Sequence, residues 1–306
     1  IDARLFNGLD VEMDYFTQTN KDIWVDGAGS YSAVIGFEAP YANDGEVKSS
    51  GFEVALNYSR SIGDLTFNIG GNLTTTTSEI VAMAEEPRLY DNLVRTGDPL
   101  KSTYGLKAIG LFKDQAEIDA APTQTFTTVR PGDIRYEDVN GDGKVDANDV
   151  CKIGNSTTAP EMYFSFNIGA EFKGVGIDAT FQGTGKYSYM KNKEGYYWGV
   201  MDNKSIAQEV YDGRWTPENL AAEFPRLSSV KNANNHQTSD FWLEDRNDFQ
   251  IRNVELYYKF GKSMLESTGF IENAKVYVRG VDLLSITNTA YTPKTRSFVI
   301  GCNLTF

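Results

Sequence analysis

Apolar and polar residues alternate with a period of two along much of the chain. This is the pattern of a strand with one dry face and one wet face. Leu9, Val11, Met13 and Tyr15 alternate with Asp10, Glu12 and Asp14. Phe52–Tyr58, Leu65–Leu73 and Met162–Phe172 repeat the pattern, as do Ile177, Ala179 and Phe181. Further strands are expected at about 249–260, 274–284 and 297–306, and Tyr104–Phe112 and Tyr187–Val200 each have room for one. The pattern predicts an all-β chain.

The connections are of two kinds. Ser61–Asp64 and Lys173-Gly174 are tight, whereas about 113–160 and 190–245 are long, polar and irregular. Transmembrane barrels have short turns at one end and long loops at the other. The polar face carries Asp10, Glu12, Asp14, Asn68, Asn72, Asp178 and Gln182, which suit a wet interior. A soluble antiparallel sandwich shows the same alternation, so period alone leaves both architectures open. The final alternation, Phe298, Ile300, Cys302, Leu304 and Phe306, closes on an aromatic residue, as outer-membrane barrels commonly do, and it turns the expectation toward a barrel.

Composition then narrows the function. With 29 Lys and Arg against 42 Asp and Glu the formal charge is −13, which disfavours nucleic acid as a partner. No run of about 18 apolar residues exists, so no membrane-spanning helix is expected. A mean hydropathy of −0.39 still leaves room for spanning strands, which need only alternate apolar residues. The single histidine, His236, lies in a polar stretch without a nearby nucleophile, and no catalytic constellation is expected. Cys151 and Cys302 make no disulfide framework and are expected to be free. Residue 1 falls within a strand-like segment without a leader before it, so an N-terminal part is expected outside this chain.

One segment has the spacing of a cation site. Asp138, Asn140, Asp142, Asp146 and Asp149 place side-chain oxygens at positions 1, 3, 5, 9 and 12 of an EF-hand-like loop (residues 138–149). Gly143 stands at the sharp turn, and Lys144 would add its carbonyl. Such hard oxygens suit Ca2+, or Mg2+, which would stiffen the loop. The loop also resembles a dockerin repeat, in which Asp takes the twelfth position. The other reading is a turn-rich polar loop closed by its own side chains. Tyr196, Tyr197 and Trp198 are weak candidates for substrate contact, because aromatic faces bind sugar rings. Packing within a loop or an interfacial girdle is the reading favoured for them. Gly183-Thr184-Gly185-Lys186 lacks the full spacing of a phosphate loop.

The run from Arg130 through Pro131-Gly132-Asp133 and Asn140-Gly-Asp-Gly143 to Ile153-Gly154-Asn155 and Pro160 resembles a passage of SusC/RagA-type TonB-dependent transporters. Phe181-Gln182-Gly183, Gly51-Phe52-Glu53, Asp240–Asp245 and Ile251–Tyr258 follow the family order, as do Val276–Gly280 and Phe298–Phe306. Ser285–Arg296 is shorter than the family's loop and lacks its DPE-like element. The resemblance implies the C-terminal part of a large antiparallel transmembrane barrel of about 22 strands, plugged in its lumen, in the bacterial outer membrane. It also implies import of oligosaccharides or peptides without chemistry on them. The implied partners are TonB, reached through an N-terminal part, and a SusD-like surface lipoprotein, with lipid around the wall. The rival readings are a soluble extracellular β-sandwich binding module with a dockerin-like calcium loop, and a receptor for iron chelates.

Overall fold

The computed structural model describes all residues except 7, 27–35, 37–39, 192–193, 200–202 and 288–294. Among the described residues nine strands form one sheet: β1 Asp2–Leu5, β2 Leu9–Val25, β3 Ala42–Ile62, β4 Leu65–Ala82, β5 Met162–Phe172, β6 Val175–Met190, β7 Leu243–Lys259, β8 Asn273–Thr287 and β9 Ser297–Thr305. Each pairs antiparallel with its neighbour in chain order.

The register aligns the apolar set of every strand on one face. Ile168 of β5 lies opposite Ile69 of β4 and Ala179 of β6. Leu256 of β7 lies opposite Ile177 and Val278, and Val278 opposite Ile300. A one-residue slip would turn each set over to the wet face, so the pattern itself pins the register. Phe166, Phe181 and Phe249 stack across three strands on the apolar face, with centroids 4.4 Å and 6.1 Å apart.

No second sheet covers this face among the described residues. Ile168 is 48% exposed, Leu256 57% and Ile300 84%. A soluble sandwich would bury these side chains, so the sandwich alternative is overturned by an open apolar band. In β4 the band runs from Leu65 to Leu73, nine residues. At strand rise and barrel tilt these cover about 23 Å, close to the apolar belt of a membrane barrel. Above it the same outward face of β2, β3 and β4 reads Thr17, Thr19, Lys48, Ser50, Thr75, Thr77 and Glu79. These strands therefore rise past the lipid into water, and their ladders are longer than the alternation predicts.

The turns divide as expected. Gly63-Asp64 and Lys173-Gly174 close two-residue hairpins, and Lys173 and Gly174 have φ of 49° and 85°, the twist-matched type I′ geometry. The β7–β8 connection, at the same end, holds two short helical turns, Lys262–Leu265 and Glu266–Thr268. At the other end, the described residues of 83–161 and 191–242 fold together, so the expectation of irregular loops is corrected there. Tyr104–Phe112 yields the short strands Thr103–Gly105 and Ala108–Leu111, which pair with Cys151–Gly154 and Ile134–Tyr136. Tyr187–Val200 divides into the end of β6 and a turn, with Val200 outside the described residues.

Candidate functional site

The two long connections share one apolar core. Leu106, Ile134, Tyr136 and Val145 from the first pack with Tyr197, Val210, Phe224 and Trp242 from the second, all nearly inaccessible. Among the described residues, this cap holds a cluster of buried large side chains as a soluble domain does. Tyr197 belongs to the core, Tyr196 packs edge-on to it at 4.8 Å, and Trp198 stacks on His236 at 4.5 Å. The three aromatics proposed as weak substrate contacts are thus brought together as packing groups of the cap.

Polar side chains join the halves of the cap. Asp133 is fully buried, and its carboxylate accepts from Asn232 Nδ2 and Asn235 Nδ2, each at 2.9 Å, and from the Arg130 amide at 2.8 Å. Arg226 Nε lies 2.8 Å away as its ion-pair partner. Gln124 donates to the Ile134 carbonyl and accepts from the Tyr136 amide, while Asn234 donates to the same Ile134 carbonyl. Asn235 Oδ1 accepts from the Ile134 amide, and Trp242 Nε1 donates to the Asn235 carbonyl. The Asn232–Asn235 segment therefore acts as a clasp on Ile134–Tyr136, a hundred residues away. Burial and the neighbouring Lys231 lower the His236 pKa to about 4, so His236 is neutral at pH 7. Burial and the Asp98 carboxylate push Tyr104, at the base of the cap, to about 12.

The 138–149 loop lies on this cap. Asp138 accepts from the amides of Gly141, Asp142 and Gly143, Asn140 from Asp142, and Asp142 from Lys144. Asp149, fully buried, accepts from Val139, Asn140 and Asp146. Asp146 caps the short helical turn Ala147–Asp149 in a reciprocal capping box. The donor set has the hard-oxygen chemistry of a calcium loop, and lone pairs remain on Asp138, Asn140 and Asp142 beyond those given to the backbone. Among the described residues no three acidic, His or Cys side chains already converge as a metal site. Self-closure and cation chemistry are thus both written into the same side chains.

Below the cap, the polar face of the sheet forms a wall. Asn72, Ser165, Gln182, Gln250 and Ser285 stand at one level on five adjacent strands. The level below reads Gly70, Asn167, Thr180 and Asn253. Lower still lies an ionic ladder: Glu171 with Lys259 at 2.6 Å, and Glu255 with Lys275 and Arg279, each at 2.5 Å. A recess of about 340 Å3 opens at the upper level, lined among others by Tyr163, Gln182, Thr184, Gln250 and Arg252. Bulges flank it, at Thr184–Tyr187 of β6 and at Ile251–Asn253 against β8. The alternation marked the wall as wet, but bulges leave no periodic signal, so sequence reasoning missed the recess.

No protein-family model matches the chain. The TonB-dependent receptor P26 of Formosa agariphila is 26% identical over 298 residues, covering 93% of this chain and 29% of the relative. The TonB-dependent receptor P39 of the same organism is 24% identical over 342 residues, covering 96% and 32%. The chain thus spans about a third of these relatives' length. A structure of the RagAB peptide transporter superposes with a TM-score of 0.73 at 20% identity, over 98% of this chain and 34% of that one. The RagAB peptide importer in its closed-closed state gives 0.70 at 19% identity, over 98% and 34%. The expected fold class, part of a large antiparallel transmembrane barrel, is the one found. Motif order, strand register and relatives together make this chain similar to a stretch of the barrel of SusC/RagA-type TonB-dependent transporters, proteins of the bacterial outer membrane.

Proposed function

We propose that the chain forms part of the wall and mouth of an importer that carries oligosaccharides or peptides across the outer membrane. The observation that carries this reading is the polar wall running from the ionic ladder up to a folded cap, on the face opposite the lipid band. Such a wall offers a solute a wet, hydrogen-bonding path, and the cap sits where that path opens. In this reading TonB supplies the energy through a part of the protein outside this chain, and a SusD-like lipoprotein covers the mouth. The solute is bound and passed on unchanged. Similarity to TonB-dependent receptors and to a peptide transporter supports this, at the level of transport rather than of cargo.

The test is uptake by cells carrying the full-length protein. Labelled oligosaccharides and peptides should enter with the transporter and stop entering when a protonophore or loss of TonB removes the energy. Uptake indifferent to both treatments would refute the reading.

The 138–149 loop is proposed to bind Ca2+ through Asp138, Asn140, Asp142, Asp146 and Asp149 with the Lys144 carbonyl. The ion would stiffen the cap and take no part in transport chemistry. The chemistry of the donor set supports it.

A further inference from the structure

We propose that the lipid face of β3 and β4 carries a binding site for one anionic phospholipid of the phosphatidylglycerol type, with an acyl chain in a groove over Gly71 and its phosphate at Arg60. The proposal rests on this face meeting lipid, and not on which solute the transporter carries.

The groove begins with a missing side chain. Other strand glycines of the sheet are covered by a ring from a neighbouring strand: Phe16 lies over Gly51, Phe164 over Gly183, Tyr257 over Gly176 and Tyr277 over Gly301. Such rings fill the gap a glycine leaves. Gly71 lies on the apolar face between Leu56 of β3 and Phe166 of β5, and no ring covers it. The Phe166 ring turns away onto Phe181, with centroids 4.4 Å apart. The backbone does not call for glycine here, since Gly71 is not in the left-handed region. What results is a groove of about 530 Å3, walled by Leu9, Val54, Leu56, Tyr58, Ile69 and Leu73. It lies within the apolar band, where a hydrocarbon chain fills such a space at lower cost than water does.

Arg60 selects the headgroup. The outward positions of β3 run Val54, Leu56, Tyr58 and Arg60, and Arg60 stands opposite Phe67, inside the edge of the band. It is exposed, and among the described residues it has no ion-pair or hydrogen-bond partner. Asp64, the acid of the adjoining turn, is paired with Lys173 at 3.6 Å. The outward positions of β4 from Leu65 to Leu73, and of β5 from Met162 to Phe172, carry no charge. A cation placed within a lipid-facing band needs a counter-charge, and its long stem lets it reach the headgroup level. A phosphate meets that need, because a guanidinium grips it with two N–H groups. A zwitterionic lipid would bring an ammonium beside Arg60, so a net-anionic headgroup is preferred.

The dimensions agree. Short turns mark this end of the strands as periplasmic, so the lipid alongside belongs to the inner leaflet. From Arg60 to Val54 is six residues. They cover about 20 Å of strand and about 15 Å of depth at barrel tilt, a little over half of the apolar belt. The groove therefore has the reach of one acyl chain measured from its phosphate. Tyr58 packs at 5.7 Å on Phe67 between the two parts of the site, where its hydroxyl can donate to a glycerol ester carbonyl.

The experiment is photolabelling of the full-length transporter in phosphatidylethanolamine vesicles containing a trace of phosphatidylglycerol with a diazirine on its acyl chain. Labelled residues are mapped by mass spectrometry, and 54–58 and 69–73 are compared with Ile168, Ile177 and Leu256, which are also exposed on the apolar face. The groove is expected to be enriched roughly tenfold, the worth of one hydrogen bond to a charged group. Phosphatidylethanolamine carrying the same diazirine chain should label the whole face evenly. Arg60→Gln should remove the enrichment and Arg60→Lys should keep much of it. Gly71→Leu, which fills the groove, should remove it with Arg60 intact. Heat-modifiable migration on gels reports whether each variant has assembled as a barrel. Even labelling by phosphatidylglycerol, or enrichment that survives either Arg60→Gln or Gly71→Leu, overturns the site and leaves the barrel standing. So does a groove that resists labelling while its surroundings are labelled, since another protein surface would then cover it. Labelling of Asn167 and Asn72 in place of Ile168 and Ile69 would overturn the assignment of the lipid face itself.

Discussion

Replacing Asp133 by Ala should open the cap while leaving the barrel intact. The carboxylate is fully buried and accepts from two side-chain amides, one backbone amide and Arg226. Without it, the Asn232 and Asn235 N–H groups lose their acceptor in a dry interior, and Arg226 loses its counter-charge. Removing one member of a buried pair costs about 3–5 kcal/mol. The Arg226 side chain is 24% exposed, and water reaches part of it, which places the cost near the lower bound, about 3 kcal/mol. At about 1.36 kcal/mol per factor of ten, the open population of the cap should rise roughly a hundredfold. Asp133→Asn should cost nearly as much, since one oxygen becomes an N–H2 aimed at other donors. The assay is amide hydrogen exchange of the full-length protein in detergent, comparing 130–136 and 224–236 with strands β5 to β7. The hub reasoning fails if protection in the cap changes less than about threefold, the range of ordinary surface substitutions, or if cap and strands lose protection together.

His236 titrates with a lowered pKa because it is buried against Trp198. Its folded value, about 4, lies below the unfolded one, so it stabilises the cap above pH 6.5, and that contribution is lost as pH falls from 6.5 toward 4. Cap exchange should accelerate over that window in the parent and far less in His236→Gln; identical profiles would refute the assignment. On β5, Ile168→Lys places a charge on the lipid face and should cost about 2–4 kcal/mol near the bilayer midplane, whereas Asn167→Lys, on the wet face, should be tolerated. Heat-resistant migration reads both, and equal effects would mean the faces are wrongly assigned. The Tyr90 hydroxyl lies 3.4 Å from Asp142, so Tb3+ held in the 138–149 loop should luminesce through Tyr90 and lose that signal in Asp138→Ala with Asp142→Ala; silence in the parent would reject the cation site.

The wall was legible because its information is local. Met162–Phe172 was read with the boundaries of β5, and the two-residue turns follow from their Gly residues. Strand length was not. The alternation of β2 fades after Tyr15, yet its ladder runs to Val25, because above the lipid both faces meet water and nothing enforces an apolar set. The cap was missed for a different reason. Ile134, Tyr136, Phe224 and Trp242 are scattered over a hundred residues, so no window shows their periodicity. A signal was available in Trp198, Trp215 and Trp242, since polar loops have little use for such large rings unless they pack. The EF-hand-like spacing at 138–149 is a pattern of oxygens, and spacing does not separate oxygens that hold an ion from oxygens that hold their own backbone.

The two parts of the chain draw on different solvents for their stability. The wall is held by ladders between neighbouring strands and by lipid on its apolar face, whereas the cap relies on a small water-excluded core and on the Asp133 and Gln124 hydrogen bonds. A unit with so small a core opens at lower cost than the sheet beneath it, because fewer buried apolar contacts hold it shut. The clasp joins Asn232–Asn235 to Ile134–Tyr136, and both connections return to the wall within a few residues of the recess, through Met162 of β5 and Leu243 of β7. Opening the clasp would therefore free the two segments that border the recess without parting any strand of the barrel. On this argument, agents that loosen the cap should expose Tyr187, buried on the recess lining, while the Phe166–Phe181–Phe249 stack on the far face stays protected.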